Sequence, residues 1–297
     1  MRILFIGSAN SSRLLLKKCF ELKLNIVGVC TIKKSNNDDF CDLKKYFRLN
    51  SDISFYAKNI NSFKAYKWIK NKKPDYIFCF GWSQILKNKI IRLAKVMTIG
   101  FHPSELPKNR GRHPIIWSLV LGLKKTASTF FIIRDEKVDS GKIISQKIVP
   151  ITKFDDALTL YNKIIKVASS QIKNFIKKKI KVNKSKKILF PKKSNYWRKR
   201  NFTDGKIDWR MSSVLIYNLI RALSKPYTNA LFYYKKREVK ILKAKIIKYK
   251  DNLKTVNLEP GKILKKTSTF FDVKCGHGII RVLKIDKPIR IKLHEYL

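Results

Sequence analysis

Acidic residues are scarce in this sequence of 297 residues. Only 20 aspartates and glutamates stand against 67 lysines and arginines, which gives a formal net charge of +47. Histidine is scarcer still, with four residues in the whole chain. Histidine is the side chain whose ordinary pKa lies nearest neutrality, so a histidine inside a motif is a strong candidate for proton transfer.

Cysteine offers no framework for disulfides or metal binding. The five cysteines are odd in number, scattered, and never spaced C-x-x-C. That pattern argues against a disulfide scaffold and against a structural zinc site, so we expect reduced thiols, a cytoplasmic protein and no metal. The cysteines are Cys19, Cys30, Cys41, Cys79 and Cys275.

Long apolar runs and a dinucleotide fingerprint are also missing. No apolar stretch approaches the ~18 residues that a membrane-spanning helix needs, so no membrane partner is expected. The first residues, MRILFIGSANSS, run straight from a short apolar stretch into a turn, which predicts a first core strand instead of a signal peptide. The turn lacks G-x-G-x-x-G, so a dinucleotide site is not expected.

Lysine is abundant, but it is spread over nearly every segment together with much isoleucine and asparagine. This distribution favours a general compositional bias over a dedicated basic surface, although a functional basic surface stays open as an alternative. Either origin predicts non-specific, salt-dependent attraction of polyanions. The bulk charge therefore does not identify a substrate.

The order of apolar segments predicts an α/β protein with a second, smaller domain. Short buried strands alternate with amphipathic helices, as in a doubly wound, mostly parallel, Rossmann-like sheet. After a lysine-dense stretch, one helix and several short strand-like runs predict a small β-barrel-like, OB-like domain. We predict a catalytic domain at 1–178, a basic linker at 179–204 and the β-rich domain at 205–297.

One stretch combines a strand end, a histidine and a stiffened basic loop. It reads TIGFHPSELPKNRGRHPIIW from Thr98 to Trp117, and its prolines and glycine exclude regular structure after His102. Further on, the tetrapeptide V-D-S-G places Asp139 at a second turn. We predict that His102 and Asp139 meet in one site and transfer a proton during acyl transfer.

These residues carry a resemblance to a known family. The pattern His-x-S-x-L-P-x-x-R-G-x-x-P, followed by D-S-G, resembles the signature of formyltransferases that use N10-formyltetrahydrofolate. That family includes methionyl-tRNA formyltransferase and the enzymes that formylate nucleotide-linked amino sugars. The runs KIDW (206–209) and LIRA (219–222) resemble the start of the family's C-terminal domain. The resemblance implies formyl transfer from N10-formyltetrahydrofolate to a primary amine.

The resemblance also assigns roles to individual residues. It implies catalysis by His102 and Asp139, and it implies that the loop from Gly81 to Leu86 packs on the folate pterin. A structural alternative for Trp82 in that loop is that it simply fills the core. The implied folate-binding residues are Trp82, Gln84, Ile85, Leu86, Arg112, Asp135, Glu136, Lys137 and Val138. The implied acceptor-binding residues are Ser8, Asn10, Ser104 and Arg110.

Two departures from the family pattern stand out. The family usually places asparagine two residues before the catalytic histidine, where its amide steadies the oxyanion, but this chain has Gly100 there. Protonated His102, an open backbone amide at Gly100 or a water are the candidate substitutes, and we expect asparagine to be tolerated at position 100. In addition, the segment from Thr129 to Asp139 is one residue longer than the pattern.

Three functions follow from these observations. Arg112, Trp117 and the run KPY (225–227) resemble the sugar enzymes, so the first is formylation of a nucleotide-linked amino sugar, with a homodimer left open. The second is formylation of initiator Met-tRNA, with the basic C-terminal domain gripping the acceptor stem. The third, motivated by Gly100, is a non-catalytic binding module on the same scaffold.

Overall fold

The computed structural model describes residues 1–36, 38–177, 194–247 and 257–297. The chain forms two compact units, and each unit draws on separate stretches of sequence. The first comprises Met1–Pro114, Lys125–Pro150 and Tyr161–Arg198, and the second comprises Ile115–Lys124, Ile151–Leu160 and Lys199–Leu297. Most of the predicted linker lies outside the described residues, and the three predicted domain ranges stay a prediction.

A seven-stranded sheet forms the centre of the first unit. Its order is β3-β2-β1-β4-β5-β7-β8; the first five strands in this order pair in parallel, and β7 and β8 join in antiparallel fashion. The strands are β1 (Ile3–Ile6), β2 (Ile26–Thr31), β3 (Ser54–Tyr56), β4 (Tyr76–Phe80), β5 (Met97–His102), β7 (Lys125–Ile133) and β8 (Ile143–Pro150), with the short β6 (Arg110–Gly111) outside this sheet.

Helices alternate with these strands, as the apolar periodicity predicts. They are α1 (Asn10–Glu21), α2 (Leu43–Tyr46), α3 (Phe63–Asn71), α4 (Asn88–Ile91), α5 (Pro114–Val120) and α6 (Ala157–Lys177). The α1 helix buries Leu15, Leu16 and Cys19, which recur at helical spacing. At the start of α1, the Ser12 hydroxyl accepts a hydrogen bond from Ala9 N at 3.0 Å and donates to Phe80 O at 2.6 Å. This contact fixes α1 to the end of β4, where the loop at Gly81 begins.

The described residues of the second unit include an open antiparallel sheet, the helix α7 (Ser213–Ala222), most of α5 and the first turn of α6. The sheet order is β10-β11-β14-β13-β12, with every neighbouring pair antiparallel. Ser212 caps α7 by accepting a hydrogen bond from Leu215 N at 3.3 Å. The elements are β10 (Ala230–Tyr234), β11 (Arg237–Ile247), β12 (Ile263–Lys266), β13 (Phe271–Lys274), β14 (Ile279–Ile285) and α7 (Ser213–Ala222), and the remaining strand, β9 (Tyr196–Trp197), belongs to the first unit.

The predicted fold class is confirmed: a mostly parallel sheet flanked by helices is followed by a C-terminal antiparallel sheet. Residues from the middle of the chain complete the second unit. The Arg221 guanidinium donates to Thr152 O at 3.0 Å and to Asp155 O at 2.9 Å, and Ala157 N donates to Ser224 Oγ at 3.3 Å. Across the described ranges, no helix combines the length and the apolar character that crossing a bilayer requires.

Candidate active site

His102 is held between two oxygen atoms at the end of β5. Its side chain is almost fully buried, and Pro103 ends the strand directly after it. The ring Nε2 lies 3.0 Å from Asn109 O, and Nδ1 lies 3.5 Å from Asp139 Oδ2. A carbonyl oxygen can only accept, so Nε2 is the donor in the first contact. Both ring nitrogens therefore lie beside oxygen atoms, which fixes the orientation of the ring.

Asp139 reaches the histidine from the turn between β7 and β8. Its backbone has a φ of +49°, a left-handed conformation that is uncommon outside glycine and is often retained at functional sites. Its Oδ2 accepts a hydrogen bond from Gly111 N at 3.0 Å, which orients the carboxylate. The structure thus brings together the two residues that the sequence singled out.

Cys79 is the nearby thiol, on the strand position paired with Gly100. Burial, together with the charge of Asp139, raises the pKa of the Cys79 thiol to about 12. The thiol is therefore protonated at neutral pH, which disfavours Cys79 as a base or nucleophile in this site.

Gly100 is closely packed, contrary to our expectation that asparagine would be tolerated there. A Cβ atom at this position would lie 2.6 Å from Cζ of Phe131 and 3.1 Å from Cδ1 of Ile133. Phe131 is buried, so its ring cannot move aside cheaply. Gly100 also lies in an interior strand with partners on both edges, which disfavours its amide as a free oxyanion donor.

The loop from Gly81 to Leu86 follows β4 and is braced by neighbouring polar groups. The Gln84 side chain accepts from Ile60 N at 2.9 Å and donates to Lys58 O at 2.8 Å. Its neighbour Ile85 is 53% exposed, whereas Leu86 is buried. The loop thus presents one apolar side chain to solvent at the end of a central strand.

Trp82, in the same loop, packs against the hydrophobic cluster that contains Ile60, Leu86 and Ile90. Its indole Nε1 is buried and has no hydrogen-bond partner within the described part of the chain. This packing supports the structural alternative, in which Trp82 fills the core. Folate contact by Trp82 stays a prediction.

The remaining residues predicted to bind folate flank this loop. Arg112 donates from Nη1 to Ser83 O at 3.1 Å, and Glu136 Oε1 accepts from Asn88 N at 3.2 Å just after the loop. Asp135, Glu136 and Lys137 form an exposed turn, while Val138 is half-buried. Arg112 therefore contacts the loop itself, and Glu136 contacts the residue that begins α4 directly after it.

The predicted acceptor-binding residues are largely engaged in structural hydrogen bonds. Ser8 N donates to Gly81 O at 3.2 Å, and Asn10 N donates to Asp39 O at 2.9 Å. Arg110 donates from Nη2 to Ser194 Oγ at 2.7 Å. Ser104 is fully buried and donates to Lys108 O at 3.2 Å, so its position does not support direct contact with an acceptor.

The groups that hold His102 and Asp139 in place were not predicted from the sequence. Asn109 O contacts His102, and Asn109 N donates to the side chain of Asn195, 86 residues further along the chain. A positive φ, here +100°, is expected where the chain has a glycine such as Gly111. Nothing in the local sequence, however, indicates that Gly111 pairs with β9. Pairing between distant two-residue strands carries no periodic signal.

Comparisons with known proteins agree with this architecture. The profile described as "Formyl transferase" matches residues 1–176, and "Formyl transferase, C-terminal domain" matches residues 201–296. The chain is 38% identical over 208 residues to the bifunctional polymyxin resistance protein ArnA of Wigglesworthia glossinidia brevipalpis, covering 70% of this chain. It spans only 32% of that ArnA chain.

Two further proteins extend the similarity over nearly the whole chain. Methionyl-tRNA formyltransferase of Caldanaerobacter subterraneus subsp. tengcongensis is 28% identical over 310 aligned positions, covering 100% of this chain and 96% of that one. The structure of WlaRD, a sugar 3N-formyltransferase with dTDP and 5-N-formyl-THF, superposes with a TM-score of 0.69 at 20% identity, covering 97% of this chain and 99% of that one. The matched profiles cover most of this sequence, and the chain belongs to the formyl transferase family.

Proposed function

We propose that this protein transfers a formyl group from N10-formyltetrahydrofolate to the primary amine of a nucleotide-linked amino sugar. The observation that carries the proposal is the buried contact between His102 and Asp139, with His102 Nδ1 3.5 Å from Asp139 Oδ2. A buried imidazole with a carboxylate partner is an arrangement suited to general acid-base chemistry near neutral pH.

Formyl transfer requires one proton to move while two carbon–nitrogen bonds are exchanged. The amine nitrogen forms a bond to the formyl carbon, the bond from that carbon to the folate nitrogen breaks, and the amine proton passes to the departing nitrogen. His102 and Asp139 supply the proton route, and general acid-base catalysis of this kind contributes ~10²–10⁴-fold in rate. Asn109 O and Gly111 N keep the two side chains oriented for it.

The loop from Gly81 to Leu86 has the character expected of a folate-binding loop. The half-exposed Ile85 offers an apolar surface for a flat ring, and Arg112 at the loop offers a cation for the carboxylates of the folate tail. Folate would supply the formyl group there. In this assignment Ile85 and Arg112 bind and orient the formyl donor, and His102 transfers the proton from the amine to the departing folate nitrogen.

A nucleotide-linked acceptor is supported by two considerations. The structural neighbour WlaRD is described as a sugar formyltransferase with bound dTDP. Arg110 carries a guanidinium on the loop that follows His102, and a guanidinium fork suits a diphosphate.

The second candidate function is formylation of initiator Met-tRNA. Its support is the full-length match to a methionyl-tRNA formyltransferase, which covers 96% of that relative. A basic antiparallel sheet domain would then bind the acceptor stem of the tRNA.

A non-catalytic binding module is the third candidate. Phe131 fills the space over Gly100, so no side chain at that position can donate to an oxyanion. Losing one such donor in other enzymes costs ~10²–10³-fold in kcat, which is a severe loss but leaves measurable catalysis.

The deciding experiment is a transfer assay with radiolabelled N10-formyltetrahydrofolate and the full-length protein. Acceptors would be dTDP- and UDP-linked amino sugars and initiator Met-tRNA, with His102→Gln as the inactive control. Label in a nucleotide sugar supports the first function. Label in Met-tRNA alone supports the second, and label in no acceptor, with folate still bound, supports the third.

A further inference from the structure

We propose that the segment Ser194–Trp197, through the side chain of Asn195, positions the catalytic pair from outside the catalytic loop. This inference rests on the proposed function, because it concerns the same His102 and Asp139. Within the described part of the chain, Asn195 hydrogen-bonds to Asn109 and Arg110 and to neither catalytic side chain, so we assign it as a positioning residue and not as a catalytic one.

The orientation of the pair depends on the backbone of the loop 109–111. Asn109 O holds the Nε2 side of His102 at 3.0 Å, and Gly111 N holds Oδ2 of Asp139 at 3.0 Å. These two backbone groups lie two residues apart. Any change in the path of that tripeptide therefore moves both catalytic side chains relative to each other.

The backbone of this tripeptide has two residues with positive φ. Gly111, with a φ of +100°, adopts this region readily because it has no side chain. Asn109, with a φ of +60°, lies in the left-handed region that is uncommon outside glycine. Contacts with the surrounding structure hold a non-glycine residue in that conformation.

The segment Ser194–Trp197 supplies those contacts. Asn195 Oδ1 accepts from Asn109 N at 2.8 Å, and Asn195 O accepts from Arg110 N at 3.2 Å. Trp197 O accepts from Arg112 N at 3.0 Å, and Ser194 Oγ accepts from Arg110 Nη2 at 2.7 Å. Every residue from Asn109 to Arg112 except Gly111 thus donates to this segment.

Gly111 completes the fit by close approach. A Cβ atom on Gly111 would lie 2.3 Å from Trp197 O, so only glycine allows the two short strands β6 and β9 to pair in parallel. Trp197 itself is buried, which fixes the segment. The chain of contacts therefore runs from Trp197 and Asn195, through the loop backbone, to His102 and Asp139.

The test compares the wild-type protein with Asn195→Ala, which removes the acceptor for Asn109 N. We expect kcat to fall by about 10- to 100-fold, the loss typical of a small misplacement of catalytic groups, while KM for the folate stays within about twofold. Asn195→Asp keeps the acceptor oxygen and is expected to retain most of the activity.

The matched control is Asn50→Ala. Asn50 also accepts a backbone hydrogen bond through Oδ1, from Ile53 N at 3.1 Å, but it caps a turn before β3 and takes no part in the site. We expect kcat in this variant to equal that of wild type. Equal losses in Asn50→Ala and Asn195→Ala would show a general loss of stability and would overturn the inference.

A second readout does not depend on turnover. The ¹⁵N chemical shifts of the His102 ring, assigned with His102→Gln, report the partners of both ring nitrogens. They are expected to change in Asn195→Ala and not in Asn50→Ala. Unchanged His102 signals, or a kcat within twofold of wild type, would refute the positioning role. If the wild-type protein transfers no formyl group, the proposed function fails, and the ring shifts still decide this inference.

Discussion

At the scale of single residues, His102 and Asp139 are the proposed catalytic pair. The two residues are 37 positions apart in sequence, and their side chains meet because β5 ends at one and the β7–β8 turn presents the other. The sequence was sufficient to name both, since a histidine before a proline and an aspartate before S-G are local signals. What it did not contain is their geometry, which depends on backbone groups of Asn109 and Gly111.

We expect His102→Gln and Asp139→Asn each to lower kcat by about 10²–10⁴-fold while folate affinity changes little. Each substitution removes a proton-transfer group but keeps a side chain of similar volume. Initial rates and equilibrium folate binding, followed by intrinsic tryptophan fluorescence, measure the two quantities. Wild-type turnover in either variant would remove that residue from the mechanism.

The ring of Phe131 packs closely against Gly100. We expect Gly100→Ala to destabilise the protein by about 1–3 kcal/mol, because the new methyl group overpacks against the Phe131 ring. Gly100→Asn is expected to cost more. Urea unfolding measures the change in the free energy of unfolding.

Phe131→Leu provides the control, since a smaller side chain opposite Gly100 relieves the clash. In a double-mutant cycle, Gly100→Ala and Phe131→Leu are expected to couple favourably. Strictly additive effects would show that the ring is not what limits the space at position 100.

At the scale of elements, the half-buried residue Asp39 links Tyr161 of α6 to the start of α1. Asp39 accepts from Tyr161 Oη at 3.2 Å, and its backbone oxygen accepts from Asn10 N at 2.9 Å. Burial raises the pKa of Asp39 to about 6, although its hydrogen bonds with Asn10 and Tyr161 partly oppose the shift. Folding therefore favours the protonated form of this group.

The raised pKa of Asp39 makes the stability of the fold depend on pH. Asp39 loses its proton at pH ~3.9 in the unfolded chain and at about pH 6 in the folded protein. The stability that the protonated group contributes is therefore lost as the pH rises from the lower to the higher value. Asp39→Asn removes that dependence. We expect the melting temperature of the wild type to fall relative to that of Asp39→Asn as the pH rises from 4 to 7. A constant difference between the two melting temperatures over this range would contradict the prediction.

Elements with strong periodicity were predictable, and contact between distant short segments was not. The short strand-like runs predicted for the C-terminal domain form the antiparallel strands from β10 (Ala230–Tyr234) to β14 (Ile279–Ile285). The pairing of β6 with β9 was not foreseen, because a two-residue strand has no pattern to read. The pairing of β6 with β9, which supports the loop next to the candidate site, is thus the feature of the site that could not be predicted from the sequence.

At the scale of the whole molecule, the charge of +47 dominates encounters with polyanions. We expect binding to heparin or to an unrelated tRNA to weaken by about 10³–10⁵-fold between about 50 and 200 mM salt, as counterion release predicts for 6–10 phosphate contacts. Fluorescence anisotropy over a salt series measures it. Salt-resistant binding that prefers initiator over elongator tRNA would instead favour the second candidate function.

The contacts within the second compact unit also depend on the order in which its residues are synthesised. Thr152 and Asp155 offer their carbonyls to Arg221, which follows them by 69 and 66 residues. Translation is directional, so the stretch 151–160 leaves the ribosome well before the arginine that fixes it exists. A nascent chain halted before residue 221 lacks the guanidinium that donates to these two carbonyls, so this contact forms only after Arg221 is synthesised.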